Sequence, residues 1–495
     1  MSHALIYIPY ATPSQVEATL KNIGEVADLD PVLVTDNPDA TPLPGYDILL
    51  SEGPLGSTHW LRTIAKHIET IMPDGFFLYT SYRTLSPGSF ILDRYSKLMQ
   101  WWQADMGYSD YRLATRDGSF TRIPLLDMQE GSVRDDFDCG SLLILRTEQF
   151  IEIVDNWDTE YKYAGLYAMR LAIMKNIRKV MHVDEPLYTV YEHTDDDSTS
   201  QFDYVDPRNR ERQVEMEYAF TDFLQDTKGW ISWDKDHIDP KGQIFEYEAS
   251  VIIPVRNRVK TIADAIESVL RQKADFKFNV IVVDNKSTDG TTEVVGRYAC
   301  KDNRVIHVVP KQDDLSIGGC WNLASLQPKC GKFMLQLDSD DLYSHDTVVQ
   351  TIVDEFYKQR CAMLVGSYML TDFNLNTIPP GIIDHREWTD TNGANNALRI
   401  NGFGAPRCFY TPVFKEYMLP NTGYGEDYAM GLMISRHYHI GRIYDVLYLC
   451  RRWEDNSDAN LDIARLNANN KYKDFIRTVE LKARRKINYD NEVPF

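Results

Sequence analysis

Apolar runs of the strand type alternate with amphipathic runs of the helix type along this chain. At 251–254, Val-Ile-Ile-Pro predicts a buried strand that ends at a proline. Apolar residues then recur on one helical face over 261–270, and a second uninterrupted apolar run at 280–283 ends at Asp284. Strand, helix and strand in this order predict a doubly wound α/β sheet.

The same order of elements occurs twice. Ile8-Pro9 ends an apolar run, and after a helical stretch 32–35 leads into Asp36-Asn37, as 280–283 leads into Asp284-Asn285. Two further pairs of segments correspond: Tyr-Ala-Gly-Leu-Tyr-Ala-Met at 163–169 with Tyr-Gly-Glu-Asp-Tyr-Ala-Met at 424–430, and Pro-Leu-Tyr at 186–188 with Val-Leu-Tyr at 446–448. Blocks that repeat in order at nearly constant spacing indicate a duplicated domain.

The stretch 227–248 separates the two copies. It contains Pro240 and Gly242 and lacks a periodic apolar pattern, so we interpret it as a connector with a boundary near Gln243. The sequence therefore predicts two tandem α/β domains with mostly parallel sheets, residues 1–242 and residues 243–495, the second carrying a helical tail.

Composition narrows the possible partners. The chain has 495 residues, of which 43% are hydrophobic, and 53 basic against 73 acidic residues give a net charge of −20. This balance argues against a general nucleic-acid binder, which needs a basic face. It is compatible with one nucleotide diphosphate, because a divalent cation can reconcile phosphates with acidic side chains.

Nothing in the sequence resembles a signal peptide, and no apolar run reaches the ~18 residues of a membrane span. None of the seven cysteines forms a CxxC pair, which disfavours a zinc ribbon and favours free thiols in a reducing compartment. We expect a cytoplasmic protein, and a peripheral position at the inner membrane face stays open.

The segment Asp338-Ser339-Asp340-Asp341 directly follows the apolar run 333–337. Three carboxylates at the end of a buried strand repel one another and lose hydration. A hard divalent cation such as Mg²⁺ or Mn²⁺ removes that cost and can bridge the phosphates of a donor. The alternative is a solvated turn with a helix cap at Asp341 or Ser344.

Two other acidic positions have a structural and a functional interpretation. Asp284 lies at the carboxyl end of a predicted strand, where it could accept a hydrogen bond from a nucleotide or merely cap the next helix. Glu426 and Asp427 open a predicted helix, where acids commonly complement the helix dipole. In a cleft with a metal site, one of them could instead accept a proton from an acceptor hydroxyl.

Five ordered motifs carry a family resemblance: Val-Ile-Ile-Pro-Val-Arg, Val-Val-Asp-Asn-Lys-Ser-Thr-Asp-Gly-Thr, Gly-Gly-Cys-Trp-Asn, Leu-Asp-Ser-Asp-Asp and Gly-Glu-Asp. In this order, over about 249–458, they resemble the family 2 glycosyltransferases, inverting enzymes of the GT-A fold. The resemblance implies that Asp338 and Asp340 hold Mn²⁺ or Mg²⁺, with Asp340 the main ligand. It implies Asp427 as general base and Glu426 as its helper in positioning the acceptor. The donor-binding residues implied are Pro254, Val255, Arg256, Asp284, Asn285, Asn322, Asp338 and Ser339.

One position departs from the family pattern. Many members carry a histidine shortly after an arginine in the last motif, and here that position is Trp453. Tryptophan cannot ligate a metal. Arg451 or Arg452 is therefore expected to contact the diphosphate, because a guanidinium pairs well with phosphate oxygens.

The first copy lacks the corresponding acids. The segment 76–85 contains no acidic residue, and Gly165-Leu166 stand where the second copy has Glu426-Asp427. Asp36 remains, and His193 takes the place of Trp453. We expect a GT-A-like domain without transferase activity, which binds an acceptor, pairs two chains or steadies its neighbour.

The tail is locally basic over 471–486 and has a modest apolar stripe that includes Phe475, Ile476, Val479 and Ala483. Two interpretations stay open: a helix lying on an anionic membrane surface, or a helix packed on its own domain.

We therefore predict an inverting glycosyltransferase that uses a nucleotide-diphosphate donor, with UDP-sugars favoured, and a glycan or lipid-linked acceptor. Pairing of two chains is left open. The alternative is a non-catalytic scaffold that binds nucleotide or carbohydrate. A nucleotidyltransferase is disfavoured, because 254–258 is not a glycine-rich phosphate loop.

Overall fold

The computed structural model describes residues 4–26, 28–192, 209–454, 456 and 461–492. The chain forms two compact units. The first domain comprises Met1–Trp230 and Asp462–Phe495, and the second comprises Ile231–Leu461.

The first domain is built on one sheet with helices around it. Its strands are β1 (Ala4–Pro9), β2 (Leu29–Thr35), β3 (Asp47–Leu50), β4 (Gly75–Tyr79), β5 (Leu85–Pro87), β6 (Met106–Ala114), β7 (Phe120–Ile123), β8 (Leu142–Arg146) and β9 (Val180–Tyr191). The helices in the N-terminal part of this domain are α1 (Pro13–Val26), α2 (Thr58–Glu69), α3 (Ile91–Trp102), α4 (Thr147–Asp155), α5 (Gly165–Met174) and α6 (Arg210–Asp226). The strand order is β3-β2-β1-β4-β8-β6-β9-β5, and β7 pairs with β6.

The second domain repeats this plan. Its strands are β10 (Ala249–Val255), β11 (Phe278–Asp284), β12 (Val305–Val308), β13 (Phe333–Gln336), β14 (Leu342–Tyr343), β15 (Met363–Thr371), β16 (Thr377–Ile383), β17 (Arg407–Tyr410) and β18 (Ile440–Arg451). Its helices are α7 (Ile262–Leu270), α8 (Thr291–Lys301), α9 (Ile317–Ser325), α10 (Val348–Gln359), α11 (Gly393–Asn396), α12 (Thr411–Tyr417) and α13 (Glu426–His437). The strand order is β12-β11-β10-β13-β17-β15-β18-β14, with β16 beside β15.

The two sheets have the same order position by position, so the predicted tandem GT-A-like α/β architecture is confirmed. The strand directions differ from the prediction. Strands β12, β11, β10 and β13 are mutually parallel, but β17 runs antiparallel to both β13 and β15. Each sheet is therefore mixed rather than mostly parallel. A continuous apolar run reports burial on both faces and carries no information on strand direction.

The last helix, α14 (Ile463–Glu492), packs in the first domain and not in the second, where we expected it. Asp474 is buried and accepts hydrogen bonds from Ser132 Oγ at 3.0 Å, from Arg134 Nε at 3.3 Å and from Arg477 Nη1 at 2.9 Å. A Cβ atom on Gly131 would lie 2.1 Å from the Asp474 carbonyl oxygen, so only glycine allows this close approach. Periodicity predicted an amphipathic helix without indicating which surface it covers.

The basic character of the tail is partly internal. Arg477 and Arg484 are completely buried, and Arg484 pairs with Glu480 at 2.8 Å. Of the predicted apolar stripe, Ile476 is buried, whereas Phe475 and Val479 are exposed. Among the helices that the structure describes, none combines the length and the apolar character needed to cross a bilayer.

Candidate active site

Three parallel strands of the second domain end at one edge of its sheet. Val255, the last residue of β10, pairs with Asp284 at the end of β11, and β13 leads into Asp338 on the other side of β10. In the sheet, β11 and β12 lie on one side of β10, whereas β13 lies on its other side. In α/β sheets, ligands bind beyond the carboxyl ends of the strands at such a change of direction.

The acidic segment after β13 is crowded and largely removed from water. Asp341 is buried, and burial together with the charges of Asp340 and Asp338 raises its pKa well above the ordinary value. Burial also raises the pKa of Asp338, with Asp340 adding to the shift and Arg407 opposing it. The Asp341 carboxylate accepts a hydrogen bond from the Arg451 backbone N–H at 2.7 Å. These carboxylates are poorly stabilised as anions by the protein alone.

Arg407 is a site residue that the sequence did not reveal. It begins β17, which is antiparallel to β13 with Cys408 opposite Leu335, so its start lies beside the end of β13. Its Nη1 lies 2.6 Å from Asp427 Oδ2. Burial would lower the pKa of Arg407, but the charges of Asp427, Asp338 and Glu426 outweigh that effect and raise it. Arg407 thus joins the charges of two acidic segments that are far apart in sequence.

Helix α13 begins with the two acids that the sequence singled out. Gly425, at φ 76°, adopts the left-handed conformation that turns the chain into the helix at Glu426. Burial, followed by the charge of Asp427, raises the pKa of Glu426 to about 8. Asp427 accepts a hydrogen bond from the Tyr428 backbone N–H at 2.8 Å and is otherwise paired with Arg407. The two neighbouring acids therefore lie in different electrostatic surroundings.

Asp284 has a local structural role. It is completely buried, and its carboxylate accepts from Ser287 N at 3.0 Å and from Thr292 Oγ1 at 2.5 Å. These hydrogen bonds and a 3.4 Å contact with His307 Nε2 lower the pKa of Asp284 although burial acts in the opposite direction. The bond from Ser287 N is the predicted turn, whereas the next helix has Gly290 as its N-cap and is not capped by Asp284. The donor-binding role of Asp284 stays a prediction. Of the predicted donor residues on β10 and just after it, Val255 is buried, Pro254 half-buried and Arg256 exposed.

Asn285 and Asn322, which were predicted to bind the nucleotide-sugar donor, also form side-chain hydrogen bonds with backbone atoms. Asn285 Nδ2 donates to Leu315 O at 2.7 Å. Asn322 Nδ2 donates to Leu419 O at 2.8 Å, and its Oδ1 accepts from Leu419 N at 2.9 Å. Asn322 therefore holds the loop that leads into α13, a role that the motif alone does not distinguish from nucleotide contact.

The last motif lies against Asp340. Arg451 is buried, contacts the Asp340 carbonyl oxygen through Nε and pairs with Asp264 at 2.9 Å. Arg452 is half-buried, and its backbone N–H bonds Thr371 O at 2.7 Å. Trp453 Nε1 lies 3.3 Å from Asp340 Oδ2. The motif thus brings an indole N–H to the carboxylate that the resemblance assigns to a metal.

A divalent cation fits the chemistry of these residues. Among the described residues, no group of three or more His, Cys, Asp or Glu side chains is arranged to hold a metal by itself. Mg²⁺ sites that use substrate phosphates need only one or two carboxylates from the protein. Asp338 and Asp340 supply that number, and burial raises the pKa of Asp338, so a cation beside it would favour its charged form.

The first domain has other chemistry at the equivalent positions. Phe77 pairs with Ile6 as Leu335 pairs with Val251, which places Thr80, Tyr82 and Arg83 where the second domain has Asp338, Asp340 and Asp341. Ile144 opposes Phe77 as Cys408 opposes Leu335, so Leu143 stands in the place of Arg407. His193, predicted opposite Trp453, lies outside the described residues.

Part of the second domain is similar to a known family. Residues 250–414 match the profile of the family described as Glycosyl transferase family 2. An uncharacterized glycosyltransferase of Rickettsia bellii is 24% identical over 48% of this chain and 38% of its own length. The putative teichuronic acid biosynthesis glycosyltransferase TuaG of Bacillus subtilis is 35% identical over 24% of this chain and 46% of its own. The chain thus spans less than half the length of these relatives.

Among solved structures, Staphylococcus aureus TarS 1–349 in complex with UDP-GlcNAc covers 48% of this chain and 72% of its own at 22% identity, with a TM-score of 0.36. A similarity of this size adds nothing to the strand order already described. The family match coincides with the half of the chain that retains the acidic segments and Arg407. Within the second domain, residues 250–414 are therefore similar to the glycosyltransferase family 2 domain.

Proposed function

We propose that the second domain transfers a sugar from a nucleotide-diphosphate donor, with UDP-sugars favoured, to a hydroxyl group of a glycan or lipid-linked acceptor. The observation that carries this proposal is the ion pair of Arg407 with Asp427, because the charge of Arg407 also opposes the rise in the pKa of Asp338. Arg407 thus interacts both with the proposed base and with a carboxylate proposed to hold the metal.

Asp427 is the proposed general base. Its carboxylate, paired with Arg407, is the group proposed to accept the proton of the acceptor hydroxyl. The acceptor hydroxyl gives its proton to Asp427, and its oxygen bonds the anomeric carbon as the bond to the diphosphate breaks. Attack from the face opposite the leaving group inverts the anomeric configuration. Glu426, with a pKa of about 8, is mainly protonated at neutral pH and can donate a hydrogen bond to the acceptor.

Asp340, together with Asp338, would hold Mn²⁺ or Mg²⁺. A bound cation of this kind supplies compensation for the charge that develops on the departing diphosphate. Two hydrogen bonds position the acids of this segment. Gln336 Nε2 donates to Asp338 at 3.1 Å, and the Arg451 backbone N–H donates to Asp341. Arg452 and the exposed Arg256 are the basic residues proposed to bind the phosphates of the donor.

We also propose that the first domain carries out no transfer. Thr80, Tyr82 and Leu143 stand where the second domain has Asp338, Asp340 and Arg407, and no acid replaces Glu426 or Asp427. A sheet that keeps its strand order while these acids and the arginine are replaced can still bind a glycan or a second chain.

The test is transfer or donor hydrolysis across a panel of nucleotide sugars with Mn²⁺, comparing wild type with Asp427→Asn and Asp340→Asn. We expect each substitution to reduce turnover by about 100-fold or more, with an unchanged circular dichroism spectrum. Asp445→Asn, at an exposed position on β18, is the matched control and should retain activity. Normal turnover in either site variant contradicts the assignment. Nucleotide binding without turnover on any donor favours the scaffold alternative.

A further inference from the structure

Trp453 contacts the carboxylate that is proposed to hold the cation, although tryptophan is not a metal ligand. Its indole Nε1 donates to Asp340 Oδ2 at 3.3 Å, and Asn456 Nδ2 donates to the same oxygen at 3.3 Å. Arg258 Nε lies 3.7 Å from that oxygen as well. Within the part of the chain that the structure describes, no hydrogen bond or ion pair reaches Asp340 Oδ1. The two oxygens of this carboxylate are therefore in unequal surroundings.

The indole is itself held in place. The Trp453 backbone N–H donates to Asn456 Oδ1 at 2.6 Å, and Asn456 Nδ2 also donates to Arg451 O at 3.1 Å. The Phe373 ring packs against the indole with centroids 5.3 Å apart, and Lys260 Nζ lies 5.7 Å from the indole centroid. The donor that reaches Asp340 is thus held by the Asn456 side chain and by the packed Phe373 ring.

A carboxylate whose rotation is restricted presents its remaining oxygen in one direction. Hydrogen bonds to the outer atoms of a metal ligand orient that ligand, and losing such a bond typically costs 10–100-fold in metal affinity. A histidine at position 453 could bind a cation directly, whereas tryptophan can only act through Asp340.

We propose that Trp453 is a positioning residue. Its indole N–H, together with Asn456, holds Asp340 Oδ2 and directs Oδ1 toward the divalent cation of the donor complex. This inference rests on the proposed function, since it concerns the cation that the second domain uses with its nucleotide diphosphate.

The test measures binding instead of turnover. Trp453→Phe keeps an aromatic ring and removes the N–H donor, while Trp453→His restores a ring N–H. The dissociation constant of UDP is measured by calorimetry with Mn²⁺ and, separately, with EDTA. We expect Trp453→Phe to weaken binding in Mn²⁺ about tenfold and to leave binding in EDTA unchanged. Trp453→His should recover most of the loss.

Trp233→Phe is the matched control, because Trp233 is a largely exposed tryptophan of the same domain. It should bind as the wild type does in both conditions. Equal Mn²⁺-dependent affinity of Trp453→Phe and wild type overturns the inference and leaves the proposed function standing. A loss of equal size in Mn²⁺ and in EDTA also overturns it, because the indole would then support the nucleotide or the fold. If wild type gains no affinity from Mn²⁺, the proposed metal role fails first, and this inference fails with it.

Discussion

Arg407 Nη1 lies 2.6 Å from Asp427 Oδ2, and this ion pair joins the start of β17 to the start of α13. Strand β17 runs antiparallel to β13, so Arg407 also lies near the end of the strand that leads into Asp338. Both members of the pair are about one-quarter exposed, which leaves them open to a substrate. Arg407 provides the positive charge that acts on Asp427, Asp338 and Glu426.

Replacing Arg407 tests that arrangement. Arg407→Met removes the cation between Asp427, Glu426 and Asp338, so their mutual repulsion is no longer compensated. We expect turnover to fall by about 100-fold or more, since the base and the carboxylates beside the diphosphate lose their common partner. The measurement is steady-state transfer, with Arg386→Met at a largely exposed position as the control. An Arg407→Met enzyme with wild-type turnover would show that the pair only stabilises the fold.

Glu426 gives a prediction for stability against pH. Its pKa is raised from 4.5 to about 8 by burial and by Asp427. Between these two pH values the folded state holds a proton that the unfolded state has lost, so stability falls as pH rises through this window. Glu426→Gln removes this contribution and should flatten the decline between pH 5 and pH 8.

Urea denaturation of the ligand-free protein at several pH values measures this slope. The exposed Glu416, changed to Gln, is the control and should leave the slope as in wild type. A Glu426→Gln slope that matches wild type would contradict the raised pKa.

The number of nucleotide sites per chain tests the division of roles between the domains. Thr80 and Tyr82 offer no carboxylate to a cation, so we expect one Mn²⁺-dependent UDP site per chain by calorimetry. Asp340→Asn should abolish most of that binding, whereas Thr80→Ala should leave it unchanged. Two sites per chain, or a loss of binding in Thr80→Ala, would show that the first domain retains a donor site.

Local patterns predicted the duplicated fold because strand–helix–strand runs and their terminal acids are contiguous in sequence. The acidic segments around Asp284, Asp338 and Asp427 could be identified from these local patterns. The role of Arg407 could not be identified, because it depends on the antiparallel pairing of β17 with a strand some 70 residues earlier. Nothing in the sequence around Arg407 indicates that pairing.

The roles of the amide residues were less predictable for a related reason. Asn322 is part of a motif, but a motif reports only that a residue type is needed. In the structure, both polar atoms of its side-chain amide form hydrogen bonds with the Leu419 backbone, and these bonds hold the loop before α13. The surface that α14 packs against could not be predicted either, because an apolar stripe indicates that one face is buried but not which surface covers it.

Asp474 should be essential to the stability of the first domain. Its buried carboxylate accepts hydrogen bonds from Ser132, Arg134 and Arg477, and removing one member of a buried charge network costs about 3 kcal/mol or more because the remaining charges lose their partner. Asp474→Ala should therefore lower the free energy of unfolding by about that amount. Hydrogen exchange should locate the loss in α14 and in the loop around Gly131, which the helix contacts closely. Asp490→Asn, at an exposed position on the same helix, should leave exchange unchanged. Unaltered protection of α14 in Asp474→Ala would mean that apolar packing alone holds the helix on this domain.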